Sequence, residues 1–269
     1  MEIWKNPFLY TDPMEINMTE AELYEFDLNG IIIYKDLISK DDIQKMNELI
    51  DADQKKNDGA DKHSFSFMEI DSIFLELMAY PRTLSIIRHM IGDWLRLDHS
   101  YGLQMDKHSV EEGKTRPNLH GGPRADNGEH EYQWLDGKMH NGLIVVMYAL
   151  EDVNPGDGGF IAVPGSHKAN MGISYKPAVD SHLVINPSLR AGDMLIFTEA
   201  LVHGTTTWTS DNRRRSLLYK YSPGHSTWSE ASNLEKYMPL TQNDLQRELL
   251  RPPSVGGRRP IDFPNVVDS

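Results

Sequence analysis

Two histidines and an arginine stand in contexts where their chemistry could matter. His120 lies in Asn118-Leu119-His120-Gly121-Gly122, just after a strand-like stretch containing Gln104. His203 lies in Leu201-Val202-His203-Gly204-Thr205, beyond the turn Ala191-Gly192-Asp193 and an apolar strand. Arg214 follows in Arg213-Arg214-Arg215-Ser216, which opens another apolar strand. Two histidines far apart in sequence, each at a strand edge, suit a metal gripped between facing sheets, and imidazole nitrogen suits iron, zinc, copper or nickel. An arginine one strand on can grip a carboxylate through a planar fork that lysine cannot reproduce. Alternation along the strand puts Arg214 and Ser216 on one face and Arg213 and Arg215 on the other. The plainer reading is that a histidine near a strand end is a satisfied surface or core residue, of which the chain has 11, and that three arginines in a row form a solvated face.

The elements that must position these residues fall into two parts. Thr19 begins a Glu-rich helical stretch that stops near Asn29-Gly30, Ile31-Ile32-Ile33-Tyr34 is β-rich, and Ser39 with Asp42 resembles a capping box for a helix over Asp41–Asp53. Pro81 suits a helix start before Thr83–Ile91, whose Leu84, Ile87 and Met90 share a face. From about Leu95 the pattern changes to short β runs separated by Gly, Pro, Asp and Asn: Leu95–Gln104, Gly142–Leu150, Gly159–Val163, Leu183–Ile185, Met194–Thr198 and Arg215–Tyr221. Such spacing predicts a sandwich or barrel, not a doubly wound parallel sheet. The expected organisation is one domain over residues 1–269, with 1–94 a mainly helical cover and 252–269 an irregular tail.

Composition narrows the function. With 27 basic and 40 acidic residues the net charge is −13, a surface that repels nucleic acid and anionic membranes and favours a small-molecule partner. The cysteine count is zero, which removes disulfides, Cys-ligated zinc, iron–sulfur clusters and Cys nucleophiles and fits a reducing, cytoplasmic setting. No apolar run approaches the roughly 18 residues of a membrane span, and the first residues carry no signal-peptide pattern.

From about Leu103 to Tyr221 the sequence resembles the phytanoyl-CoA dioxygenase family of iron(II)- and 2-oxoglutarate-dependent oxygenases. The resemblance rests on Ala149-Leu150-Glu151-Asp152-Val153, Gly158-Gly159-Phe160 and Val163-Pro164-Gly165-Ser166-His167-Lys168, then on Ala191-Gly192-Asp193-Met194-Leu195-Ile196-Phe197, His203-Gly204 and Arg214-Arg215-Ser216. It implies a mostly β fold with flanking helices around a double-stranded β-helix (a cupin-like jelly roll). It further implies His120 and His203 as metal ligands, Arg214 as partner of the 2-oxoglutarate carboxylate, Ser216 or Thr205 as an additional donor, and Gln104 as a cosubstrate contact. His167 is implied to be a structural landmark, not a ligand. Iron(II), 2-oxoglutarate and oxygen would be the cofactor and co-substrates, and a small molecule the substrate.

One position departs from the family. Its first motif is His-x-Asp or His-x-Glu, and here it reads His120-Gly121-Gly122. The third ligand position is therefore filled by a nearby carboxylate (Asp126, Glu129 or Glu131), by water, or by chloride, as in the radical halogenases of this superfamily; otherwise the chain is a non-catalytic binding protein. A glycine pair is also what a turn with positive φ requires. The segment 121–142 reads as a loop after the first ligand, so Arg124, Tyr132, Trp134, Met139 and Asn141 are expected to line the substrate mouth.

Overall fold

Strand alternation sorts the side chains of this protein into two cores, and that sorting positions everything below. The computed structural model describes residues 17–56, 63–107, 118–123, 131–170 and 175–257. In chain order the elements are α1 (Glu20–Asn29), β1 (Ile31–Tyr34), α2 (Lys40–Lys56), β2 (Ser64–Phe65), α3 (Ser72–Met78), α4 (Pro81–Ile91), β3 (Leu95–Met105), β4 (Asn118–His120), β5 (Tyr132–Leu135), β6 (Lys138–Asn141), β7 (Ile144–Ala149), β8 (Gly159–Val163), β9 (Met194–Thr198), β10 (Val202–Thr206), β11 (Arg214–Pro223) and α5 (Asp244–Leu249). A six-stranded sheet runs β1-β9-β7-β11-β3-β2 and a three-stranded sheet runs β4-β10-β8, with β5 and β6 paired as a hairpin.

Both faces of the large sheet are covered. Val145, Met147, Leu195, Phe197, Ile31 and Ile33 point inward to join Phe160 and Ala162 of the small sheet. The intervening Ile144, Val146, Tyr148, Ile196, Ile32 and Tyr34 point outward, onto a core shared with Phe74, Leu84 and Ile87 of the helices. Strands buried on both faces read as continuous apolar runs, which is why β7 and β9 stood out in the sequence. The result is a mostly β, cupin-like jelly roll with helices outside it. Among the described residues no helix is long and apolar enough to cross a membrane.

The helix expectations were close. Thr19 and Glu22 form a reciprocal capping box on α1, and Asp42 N–H donates to Ser39 Oγ at 3.1 Å at the start of α2. Three features differ. Helix α3, capped by Asp71, was not expected: Ile73, Phe74, Leu75, Leu77 and Met78 are all buried, so no one-sided period marks it. Leu183–Ile185 is not a strand and contributes only an Ile185–Ala162 bridge. The supposed loop 121–142 contains the β5–β6 hairpin, whose tip has Asp136 at φ 52° before Gly137 at φ 73°.

Candidate metal centre

Strand β10 lies between β4 and β8, which makes His203 the direct cross-strand neighbour of His120 on one side and of Ala162 on the other. The two imidazole centroids are 4.3 Å apart. His203 is buried against Phe197, at 4.6 Å between rings, whereas His120 is exposed. His203 Nδ1 lies 2.7 Å from the carbonyl of Leu201. A carbonyl can only accept, so Nδ1 carries the proton and Nε2 presents its lone pair, the orientation a ligating histidine needs.

The third donor is Glu199. Strand β9 ends at Thr198, and a turn closed by Leu201 N–H donating to Thr198 O at 2.9 Å folds Glu199 back toward His203. Glu199 Oε1 is 3.7 Å from His203 Nε2, and Lys220 Nζ donates to Glu199 Oε2 at 3.0 Å. One ligand atom from each of His120, Glu199 and His203 falls within 4.8 Å of the others, a spacing that one divalent ion can span.

Electrostatics favour ligation. Burial alone would raise the Glu199 carboxyl, but His203, Lys220 and His120 outweigh it and hold its pKa down to about 2. Burial, only partly countered by Glu199, lowers His203 to about 4, so its imidazole is neutral at neutral pH, as a metal requires. For Lys220 burial works against the charge, yet Glu199 and Tyr101 raise its pKa and keep it protonated.

Arg214 enters the same interior from β11. It is 2% exposed, and among the described residues its guanidinium donates only to thioethers, Met105 Sδ at 3.3 Å and Met147 Sδ at 3.6 Å. Burial lowers its pKa to about 10, still charged at neutral pH. A buried guanidinium served by sulfur alone is fitted to receive an anion. The chain also makes room for it: Gly159 has φ +83°, and a Cβ there would come within 3.0 Å of Arg214 Cδ and Nε. Arg215 faces the other way, donating to Gln104, Asn47 and Asp51, and Arg213 meets Asp51 and Glu151 outside.

The remaining sequence-derived residues divide. Ser216 is buried on the face of Arg214, and Thr205 shares the face of His203. Gln104 does not join them: its Oε1 accepts from Arg215 at 2.9 Å on the outer face, because it opposes Arg215 in the β3–β11 register. Tyr132 is tied to α1 through its hydroxyl on Asp27 and packs edge-on against His167 at 4.4 Å. Trp134 is exposed on the hairpin, and Met139 is buried in the helix-side core. Asn141 borders a cavity of about 420 Å³ together with Ile91, Gly142, Pro223, Thr227 and Trp228. Gly121 and Gly122 have φ 77° and 94°, the turn expected of a glycine pair. Glu131 is exposed and accepts from Gln133, outside the donor cluster. Arg124, Asp126 and Glu129 lie outside the described residues. His167 is buried at 1% exposure with Nε2 3.1 Å from Asp27 O, a brace between the turn after β8 and α1.

Sequence reasoning missed Glu199 and Lys220. Each is a lone charge in an otherwise apolar strand region, and their opposite signs were the available signal. It also missed Trp228, which stacks on His99 at 5.2 Å and has Lys220 Nζ 5.7 Å from its ring centre.

Comparison with known proteins bears on the fold and on one segment of the chain. Residues 115–216 match the family model described as phytanoyl-CoA dioxygenase (PhyH). No curated protein matches the sequence. The fold is similar to that of HygX from Streptomyces hygroscopicus, solved with nickel and 2-oxoglutarate bound, at 23% identity and a TM-score of 0.69, covering 80% of this chain and 90% of that one. It is also similar to SnoK, a non-heme alpha-ketoglutarate-dependent carbocyclase from nogalamycin biosynthesis, at 17% identity and a TM-score of 0.58, with coverage of 80% and 87%. The non-heme monooxygenase ThoJ, in its nickel complex, shares 13% identity at a TM-score of 0.57, with coverage of 77% and 79%. The segment that matches the family model contains His120, Glu199, His203 and Arg214, and over those residues the chain is similar to the PhyH family.

Proposed function

We propose that this protein is an iron(II)- and 2-oxoglutarate-dependent oxygenase in which His120, Glu199 and His203 hold the metal and Arg214 holds the distal carboxylate of the cosubstrate. The observation that carries the reading is the convergence of those three donor atoms within 4.8 Å in the same interior as a buried arginine that, among the described residues, has no oxygen partner. When bound, iron(II) with 2-oxoglutarate and oxygen supplies the oxidation of an unactivated carbon. The chain does the rest. Arg214 selects and orients a dicarboxylate, with Ser216 and Thr205 beside it as hydroxyl donors. Leu201 fixes the His203 tautomer, and Phe160, Phe197, Met105 and Met147 keep the interior apolar and dry.

Glu199 also bears on the vacant position at Gly122. The negative charge that chloride would bring is supplied by Glu199 in this reading, so hydroxylation or a related oxidation is the favoured outcome and halogenation loses its motive. The substrate is a polar small molecule entering beside Trp228. Support comes from the cavity bordered by Asn141, whose buried Oδ1 finds no donor among the described residues while its Nδ2 donates to Met90 O at 3.0 Å. The similar protein HygX was solved with nickel, 2-oxoglutarate and hygromycin B bound, a small-molecule case on the same fold.

The test is succinate formation from 2-oxoglutarate by purified protein with and without iron(II), in the absence of substrate. Slow, iron-dependent conversion that disappears in His203→Ala is expected. No iron-dependent conversion by folded wild-type protein would contradict the reading.

A further inference from the structure

Lys220 is buried, charged and inside the catalytic interior, and nothing in the proposed reaction yet uses it. It projects from β11 on the same face as Arg214, Ser216 and Leu218, so one strand delivers both the cosubstrate anchor and this ammonium. Its Nζ donates to Glu199 Oε2 at 3.0 Å, while Oε1 of the same carboxylate is turned toward His203 Nε2 at 3.7 Å. The ring centres of Tyr101 and Trp228 each stand 5.7 Å from Nζ and confine it.

A buried Lys–Glu pair is a poor stability device, because desolvating both charges offsets most of their attraction, and an apolar pair of similar size would serve the core as well. The arrangement is better explained by what it does to the carboxylate. A carboxylate can give a metal one oxygen or two. Two imidazoles and one carboxylate oxygen leave an iron(II) site with three open positions, enough for a bidentate 2-oxoglutarate and oxygen; a carboxylate using both oxygens removes one of them.

We propose that Lys220 is a positioning residue that occupies Glu199 Oε2 and so restricts Glu199 to a single metal-binding oxygen, keeping a coordination position open for 2-oxoglutarate. This rests on the metal assignment above, and the two can fail separately. The carboxylate does not come from the His-x-Asp position, so the chain has to control its orientation from elsewhere in the fold, and β11, two strands from β9 in the large sheet, is the strand that reaches it.

The experiment is calorimetric titration of cobalt(II) into the protein, followed by 2-oxoglutarate into the cobalt-loaded protein, for wild type, Lys220→Met and Lys220→Arg. In Lys220→Met cobalt should bind as tightly as in wild type or more tightly, while 2-oxoglutarate weakens about tenfold or more. Lys220→Arg, which restores a cationic donor, should recover most of the 2-oxoglutarate affinity. Opposite movements of the two affinities are what a merely structural lysine would not produce. Unchanged 2-oxoglutarate affinity in folded Lys220→Met, or parallel loss of both ligands, overturns the proposal. If Lys220→Met fails to fold, isotope-edited infrared spectra of cobalt-loaded wild type decide instead, with Glu199→Gln used to assign the band. Widely split carboxylate stretches support one-oxygen binding, and closely spaced ones overturn it. Wild-type cobalt affinity in Glu199→Gln would instead remove the metal assignment itself.

Discussion

Asp98 holds Trp228 in place: its Oδ2 accepts from the Trp228 backbone N–H at 2.7 Å, and its Oδ1 accepts from Ser229 N–H at 3.1 Å. The Thr227 hydroxyl adds a bond at 3.1 Å. Asp98 can do this because β3 bulges there: His99 pairs with Lys220 and Leu97 with Tyr221, leaving Asp98 as the extra residue. The bulge turns a strand carboxylate onto the segment that carries Trp228 over Lys220. Burial would raise the Asp98 pKa, but His99 and the two backbone donors outweigh it and bring it to about 2. A depressed folded-state pKa means that this contribution to stability is present above the unfolded carboxylate value of about 3.9 and is lost as pH falls toward about 2. Asp98→Asn should lower the melting temperature at pH 7 by several degrees and make the drop between about pH 4 and 2 smaller than in wild type. Identical melting curves for the two proteins across that range would contradict the role.

Arg214→Ala should weaken 2-oxoglutarate binding to metal-loaded protein about tenfold or more, the effect of losing a charge-assisted bond worth roughly 1.5–3 kcal/mol. Arg213→Ala should change it by no more than about threefold, because Arg213 faces Asp51 and Glu151 outside the sheet. Calorimetry on both variants checks the pair, and equal losses would mean that Arg214 is not the anchor.

Gly122→Asp would put the family carboxylate back where a side chain is strained, at φ 94°. The expected result is a protein destabilised by about 1–3 kcal/mol with no gain in iron affinity, since Glu199 already serves that position. In wild type, 2-oxoglutarate affinity should be the same in chloride and in a chloride-free buffer. Tighter iron binding in the variant, or chloride-dependent cosubstrate affinity in wild type, would return the third position to an outside anion.

The parts of this molecule legible in sequence are those governed by local rules. Caps at Thr19 and Ser39, the apolar runs of β7 and β9, and the face of Arg214 followed from spacing alone. The proposed use of His120, His203 and Arg214 was reached through motif order. Glu199 was not, because its approach to His203 depends on a tight turn whose residues, Thr198 to Leu201, carry no Gly, Pro or Asn. The outward face of Gln104 was not legible for a related reason. Its face depends on the pairing register with β11, where one residue's shift exchanges inside for outside. Trp228 is held near Lys220 by Asp98 at a bulge, and a bulge leaves no mark in composition.

The measurement closest to the central claim is anaerobic titration of iron(II) into wild type and Glu199→Gln, with melting curves confirming that both are folded. The account expects one iron per chain in wild type and affinity at least tenfold weaker in Glu199→Gln, because the variant keeps the volume and loses the charge that ligation needs. Equal affinity and stoichiometry in the two proteins would show that Glu199 is only the buried partner of Lys220, and that His120 and His203 do not share their metal with it.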